Sequence, residues 1–280
     1  MSVIQVGLVD KTGKLDPALV EGTAAALNIQ VMRDLPQYWN VKATVRHLPN
    51  ASKIPAGVWP VFLVAKLPPG EGGVHLDKKN QPYSLVIGTP DNDDWTIDAS
   101  HETLEMLVDP YGNRLQTSRA IKVHGKGVED TNGEFEYLVE ACDPCEGNQY
   151  AYSVQGIAVS DFITPHFYDP VVTSGTRYSF GGNLKKPRQL LPGGYISFVD
   201  PQKDEVEQIL WLGDTPELRN LGSADGAKSL RVFVDGKTRE KVRSGRKPNQ
   251  ALTQANRQHR EVLGAVAARR ASNYREQIGE

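Results

Sequence analysis

The run His101-Glu102-Thr103-Leu104-Glu105 carries three side chains whose types and spacing fit metal-assisted chemistry. On a helix that turns about 100° per residue, His101 and Glu105 leave the same face one turn from each other. An imidazole and a carboxylate so placed can share one metal ion, and zinc accepts a carboxylate oxygen at about 2.0 to 2.2 Å. Glu102, next to the first ligand, then stands where a general base is needed to take the proton of an activated water. In the common form of this pattern the second ligand is histidine. Glutamate in its place adds negative charge and weakens the Lewis acidity available to polarise a carbonyl.

A zinc site that works on a substrate takes a third protein ligand from elsewhere and leaves a fourth position for water. The segment Tyr137-Leu-Val-Glu-Ala-Cys-Asp-Pro-Cys-Glu146 supplies candidates, with Glu140, Asp143 and Glu146 recurring at every third residue. Glu140 is the expected third ligand, and Asp143 is expected to accept the ring N–H of His101 and fix its tautomer. Asp143, Glu146 and His75 stay open as alternative ligands, and acids at this spacing also make solvated faces. Asp109 lies near the face of His101 and Glu105 but about 12 Å further along the axis, which suits a helix-end cap. An oxyanion formed in hydrolysis needs a donor; His75, His166, Tyr178 and Tyr195 are the candidates, and a structural hydrogen bond is the competing role for each. Zinc is the expected ion. Calcium or no metal are the alternatives, because Glu102, Glu105 and Glu140 bring three negative charges.

The elements that must position these groups can be read from the chain. Residues 3–9 alternate as a first strand, and Asp16-Pro17 gives an N-cap and first-turn proline to a helix ending near Leu35, before Pro36. Residues 42–48, 59–67 and 83–88 read as further strands, with a glycine-rich loop or edge over 68–77. A polar stretch, 91–98, leads into the helix of His101, whose N-terminal end is marked by Thr96 and Asp98 and which Asp109-Pro110 stops. Two short strand pieces are expected around 121–124. Phe135, Leu138 and Val139 at helical spacing predict a helix over 134–142. Residues 149–163, 178–180 and 195–199 read as strands between proline and glycine turns. Beyond Gly213 a polar region precedes a short strand over 229–234, a basic run over 237–247 and a helix over 250–277.

The run Ala99-Ser-His-Glu-Thr-Leu-Glu-Met-Leu-Val-Asp-Pro110, followed by Glu140-Ala-Cys-Asp143 and Gly156-Ile-Ala-Val-Ser-Asp161, resembles a group of little-characterised zincin-like metallopeptidases with a His-Glu-x-x-Glu helix. The resemblance spans roughly residues 59–199. It implies an α+β zincin-like fold in which strands 59–67 and 83–88 belong to a mixed sheet above the metal helix, with Gly73 to His75 near the rim of the cleft. The expected organisation is a zincin-like domain over 1–200, divided into a sheet and helix part (1–110) and an irregular subdomain (111–200). An extension, 201–280, holds the basic linker and terminal helix.

Two functions fit this reading. One is a zinc-dependent peptidase acting on a peptide or protein; the other is a zincin-like scaffold that keeps a structural metal and serves in binding or assembly. Composition is that of an ordinary globular protein, and a formal net charge of −2 gives no global reason to expect nucleic acid or an anionic membrane. The basic run has no interleaved aromatics and reads as a solvated linker. No window approaches the ~18 apolar residues a membrane span needs, and the first ten residues have no leader pattern, so a cytoplasmic location is expected. The terminal helix, with apolar Leu252, Val262, Leu263, Val266 and Ala267, could dock on the body or pair with a second copy. Cys142 and Cys145 lack a second pair to complete a four-thiolate site and are expected to be reduced near a turn.

Overall fold

The computed structural model describes residues 2–49, 52–68, 72–242 and 250–278. The chain is mixed α+β. Strand β1 (Ile4–Asp10) leads to helix α1 (Pro17–Ile29), whose N-terminus is capped by Asp16 Oδ1 accepting from Ala18 N at 2.9 Å. The helix then widens into a π-turn, Gln30–Asp34, and ends at Pro36 in a short 3-10 turn. Strands β2 (Ala43–His47), β3 (Val58–Val64), β4 (Gly73–Lys78) and β5 (Gln81–Ile87) complete the first sheet in the order β2-β1-β3-β5-β4. All pairings in it are parallel except that of β4, which runs antiparallel to β5 along the edge. The glycine-rich stretch expected as a loop or edge therefore supplies an edge strand, and His75 lies on it.

Helix α2 (Trp95–Val108) packs on β5 and β4 and carries the His101 to Glu105 run. It starts earlier than the sequence marks suggest: Thr96 and Asp98 lie inside its first turn, where Asp98 complements the helix dipole. Every residue of α2 but Asp98 is buried. A helix wrapped by protein on all sides must satisfy Ser100, His101, Glu102, Thr103 and Glu105 without bulk water, which costs free energy unless each finds a partner.

The second sheet is antiparallel. It is built from a long hairpin, β6 (Leu115–Val123) and β7 (Val128–Leu138), with a two-stranded ribbon, β8 (Tyr152–Val154) and β9 (Ile157–Val159), standing apart. Strands β10 (Tyr195–Asp200), β11 (Glu205–Leu210) and β12 (Glu217–Gly222) finish it in the order β12-β11-β10-β7-β6. The helix expected over 134–142 is thus corrected to the end of β7 and a turn. Glu134 and Glu136 alternate with Phe135 and Tyr137, and Tyr137 and Glu136 pair with Phe198 and Val199 of β10, so the period-2 pattern outweighs the helical spacing of Phe135, Leu138 and Val139. Residue 200 ends β10, and β11 and β12 continue the same sheet beyond it.

The strand expected over 229–234 is also corrected. These residues open helix α3 (Leu230–Val242), because Leu230 and Val234, four apart, bury together against Leu138 and Val206. Residues 243–249 of the basic run lie outside the described residues. Helix α4 (Gln250–Ile278) follows, held by Arg260, whose guanidinium donates to Gly156 O at 2.8 Å and to Asp93 at 2.6 Å. Among the described residues no helix is long and apolar enough to cross a membrane.

Candidate metal centre

The acids of the 140–146 segment do not form a solvated face. Glu140, Asp143 and Glu146 are all buried, as are His75, His101, Glu102 and Glu105. After β7 the chain crosses α2, and Cys142 N donates to Glu105 Oε1 at 3.0 Å, which ties the segment to the helix. A 3-10 turn, Asp143–Cys145, then sets Asp143 over His101. Cys142 and Cys145 are buried and unbridged at this turn, as expected.

His101 Nε2 lies 3.1 Å from Glu105 Oε2 and 3.2 Å from Asp143 Oδ1. Asp143 Oδ1 nonetheless receives no hydrogen bond, so the imidazole nitrogen does not aim at that oxygen. Zinc bound at about 2.0 Å in a tetrahedral site sets its ligand atoms roughly 3.3 Å apart. Both distances from His101 Nε2 are close to that spacing. Asp143 Oδ2, Glu140 Oε1, Glu102 Oε2 and His75 Nδ1 are further buried atoms without a hydrogen bond. Buried acceptors left open in this number mark a place for a cation. Potential ligand atoms fall into overlapping trios: His101–Glu105–Cys142, His75–Glu102–Glu105, His101–Asp143–Glu146 and Glu105–Glu140–Asp143. Asp143 joins His101 in the group with Glu146 and joins Glu105 in the group with Glu140, whereas Glu140 shares no trio with His101. The donor types fit zinc, and Asp143 lies beside the His101 ring nitrogen, where it was expected, with Glu140 next to Glu105 and Asp143.

Glu102 sits on the opposite side of the Glu105 carboxylate. Its side chain fills the space beside Gly73, where an added Cβ would lie 2.6 Å from Glu102 Cγ and 2.7 Å from Oε1. Glycine at this point of β4 is what lets the carboxylate lie flat against the edge strand. His75 Nδ1 faces Glu102 Oε2 at 3.6 Å and Glu105 Oε2 at 3.7 Å, while its Nε2 lies 3.1 Å from the carbonyl of Asp109. Asp109 is the C-cap residue of α2, as expected, and its Oδ2 accepts from Arg114 N at 2.7 Å. His75 is therefore buried beside Glu102 rather than on an open rim.

Of the other oxyanion donors considered, His166 is half exposed and pairs with Asp169 at 2.8 Å, and the Tyr178 hydroxyl accepts from Thr173 N at 2.7 Å, which gives both a structural role. Tyr195 does belong to the region. Its phenol is held well above its ordinary pKa by burial and by the Asp143 carboxylate, so it remains a protonated donor. The space between Tyr195, Glu140 and Asp143 has a volume of about 10 Å³, enough for about one water molecule.

One functional residue escaped the sequence reading. Arg231, at the start of α3, is buried and reaches into the carboxylates: Nη1 donates to Glu105 Oε2 at 2.9 Å and to Glu140 Oε2, and lies 4.0 Å from Asp143 Oδ2. Nε donates to both oxygens of Asp235 at 3.1 and 3.0 Å. The ion pairs set the protonation of the cluster. Burial would raise the Glu105 pKa, but the charges of His101 and Arg231 hold it well below the usual carboxylate range. Burial opposes the charged form of His101, yet Glu105 and Asp143 keep its pKa well above the ordinary value. Glu140 is pushed well up by burial, against the pull of Arg231, and Asp143 is pushed up to about 8 by burial and by the charge of Glu105.

Comparison of the chain with protein-family models, with curated proteins and with solved structures finds no match. The site is thus read from its own geometry.

Proposed function

We propose that the chain is a zincin-like, zinc-dependent peptidase whose ion is held by His101 and Glu105 with a third carboxylate from Asp143 or Glu140, and with Glu102 as general base. The observation that carries this reading is that His101 Nε2 stands 3.1 Å from Glu105 Oε2 and 3.2 Å from Asp143 Oδ1, in a buried cluster with open acceptors. Zinc held there supplies the Lewis acidity that brings the pKa of a water towards neutrality. Glu102 Oε2, with no hydrogen bond of its own, is the acceptor placed to take a proton. His75 orients next to it through the Asp109 carbonyl, so a proton accepted by Glu102 has an imidazole nitrogen within 3.6 Å to pass to. Tyr195 offers a protonated hydroxyl on the other side of the acids. The mixed sheet with an antiparallel edge strand lying over α2 supports the zincin-like reading of the fold.

The second reading, a scaffold with a structural metal site, is favoured by burial: Glu102 is only 3% exposed, so a peptide carbonyl reaches it only after a covering group moves. Zinc titration against a chromophoric chelator, together with hydrolysis of a mixed peptide library, tests both. One zinc per wild-type chain is expected, with none bound by His101→Ala and zinc retained but hydrolysis lost in Glu102→Gln. Undiminished zinc binding by His101→Ala removes the site assignment. Stoichiometric zinc with no hydrolysis by wild type selects the scaffold.

A further inference from the structure

We propose that helix α3 is an intramolecular plug, and that the Arg231 guanidinium occupies the carboxylates as a resident cation which a metal ion must displace. This inference rests on the metal-site reading above and concerns its regulation. Glu105 Oε2 is the oxygen shared by the two arrangements: it accepts from Arg231 Nη1 at 2.9 Å and stands 3.1 Å from His101 Nε2. A guanidinium and a divalent ion cannot both take its lone pairs at close range without like charges meeting in a buried site. Arg231 thus satisfies the acids in the closed state and competes with metal for them.

Two features make α3 separable from the body. Its buried side chains Leu230 and Val234 pack with Leu138 and Val206 in a cluster distinct from the main core, so withdrawal leaves that core intact. Arg231 carries a counter-ion, Asp235, on its own helix, so the guanidinium leaves the acids without becoming an unpaired charge. Glu105, Glu140 and Asp143, by contrast, are left behind together as one group of acceptors open to a divalent ion. The helix start is also latched to the turn that follows α2. Leu230 N donates to Asn113 Oδ1 at 2.8 Å, Arg231 N to Gly112 O at 3.0 Å, and Asn113 Nδ2 to Lys228 O at 2.9 Å. Gly112 has φ of +62°, and a Cβ there would lie 2.6 Å from Arg231 Cβ, so the latch closes only over glycine. Movement of the latch and of the end of the metal helix are therefore coupled.

Zinc affinity is measured by chelator competition on the full chain for wild type, Arg231→Met and Asn113→Ala. The last variant loosens the latch without touching the acids and serves if loss of the buried arginine prevents folding. Amide hydrogen exchange across α3 is followed with and without zinc. Release of the plug is expected to tighten zinc binding by about 5- to 150-fold in either variant, the usual span of coupling between linked equilibria. In wild type, zinc is expected to speed exchange along α3. Equal or weaker zinc affinity in both variants, or added protection of α3 by zinc, overturns the plug while leaving the metal site standing. No zinc binding by any of the three proteins overturns the metal site and the plug with it.

Discussion

Replacing Glu105 by Gln tests the charge network without any assumption about catalysis. The carboxylate accepts on both sides: Oε1 from Cys142 N at 3.0 Å, and Oε2 from Arg231 Nη1 at 2.9 Å. Glutamine has the same shape but only one acceptor oxygen, so its NH₂ must face one of these two donors. One contact becomes donor against donor, and the buried guanidinium loses an anionic partner. A hydrogen bond to a charged group is worth about 1.5 to 3 kcal/mol. Glu140 and Asp235 remain to hold Arg231, which keeps the loss below the ~3 to 5 kcal/mol of a wholly stranded buried ion. Glu105→Gln should therefore destabilise the metal-free protein by about 2 to 3 kcal/mol, at an unchanged urea m-value. Urea unfolding in EDTA measures it, and a double-mutant cycle with Arg231→Met should show coupling of at least ~1 kcal/mol. Additive effects, or a Glu105→Gln protein within ~0.5 kcal/mol of wild type, would refute the network as described.

Gly73→Ala should press a methyl group onto Glu102 and cost about 1 to 3 kcal/mol of stability by overpacking; it should reduce peptide hydrolysis while chelator titration finds zinc binding unchanged. Arg188 is buried, donating to Asp130 at 3.0 and 2.8 Å and to Ser118 Oγ at 2.8 Å. Arg188→Met leaves the partly exposed Asp130 free to be solvated and should cost about 1 to 3 kcal/mol in urea unfolding, and a change under ~0.5 kcal/mol speaks against the pairing. Ser100→Ala removes the hydroxyl that donates to Gln30 Oε1 at 2.8 Å and accepts from Ser160 N at 2.9 Å. It should cost about 1 to 3 kcal/mol and speed amide exchange at Ser160, which unchanged protection there would contradict.

The first half of the fold was legible because its signals are local. Asp16 and Pro17 mark a helix start by chemistry that acts within one turn, and the apolar runs of β3 and β5 read as strands buried in a mainly parallel sheet. Phe135, Leu138 and Val139 misled because their spacing fits a helix equally well, and only pairing with β6 and β10 decides between the periods. In α3 the β-branched and aromatic run Val232, Phe233, Val234 favours a strand locally, and burial of Leu230 and Val234 on one side overrides it. The helix of His101 and Glu105 was visible in five residues. So was Asp143 beside the His101 ring nitrogen, whereas the burial of all three acids of 140–146 was not, since it depends on how the chain crosses α2 after β7. Arg231 gave no signal at all: it meets Glu105 across 126 residues of chain, and no spacing rule reaches that far.

The dispersal of the cluster along the chain has a kinetic meaning. Sheet β1 to β5 and helix α2 draw only on residues up to 108, yet the acids that meet His101 come from 140–146 and their cation from 231. Contacts between such distant segments form late, after the loop-closure entropy between them has been met. In refolding, the approach of the carboxylates and then of Arg231 to His101 and Glu105 is therefore expected among the late steps. A divalent ion present during those steps would act on the folding rate itself.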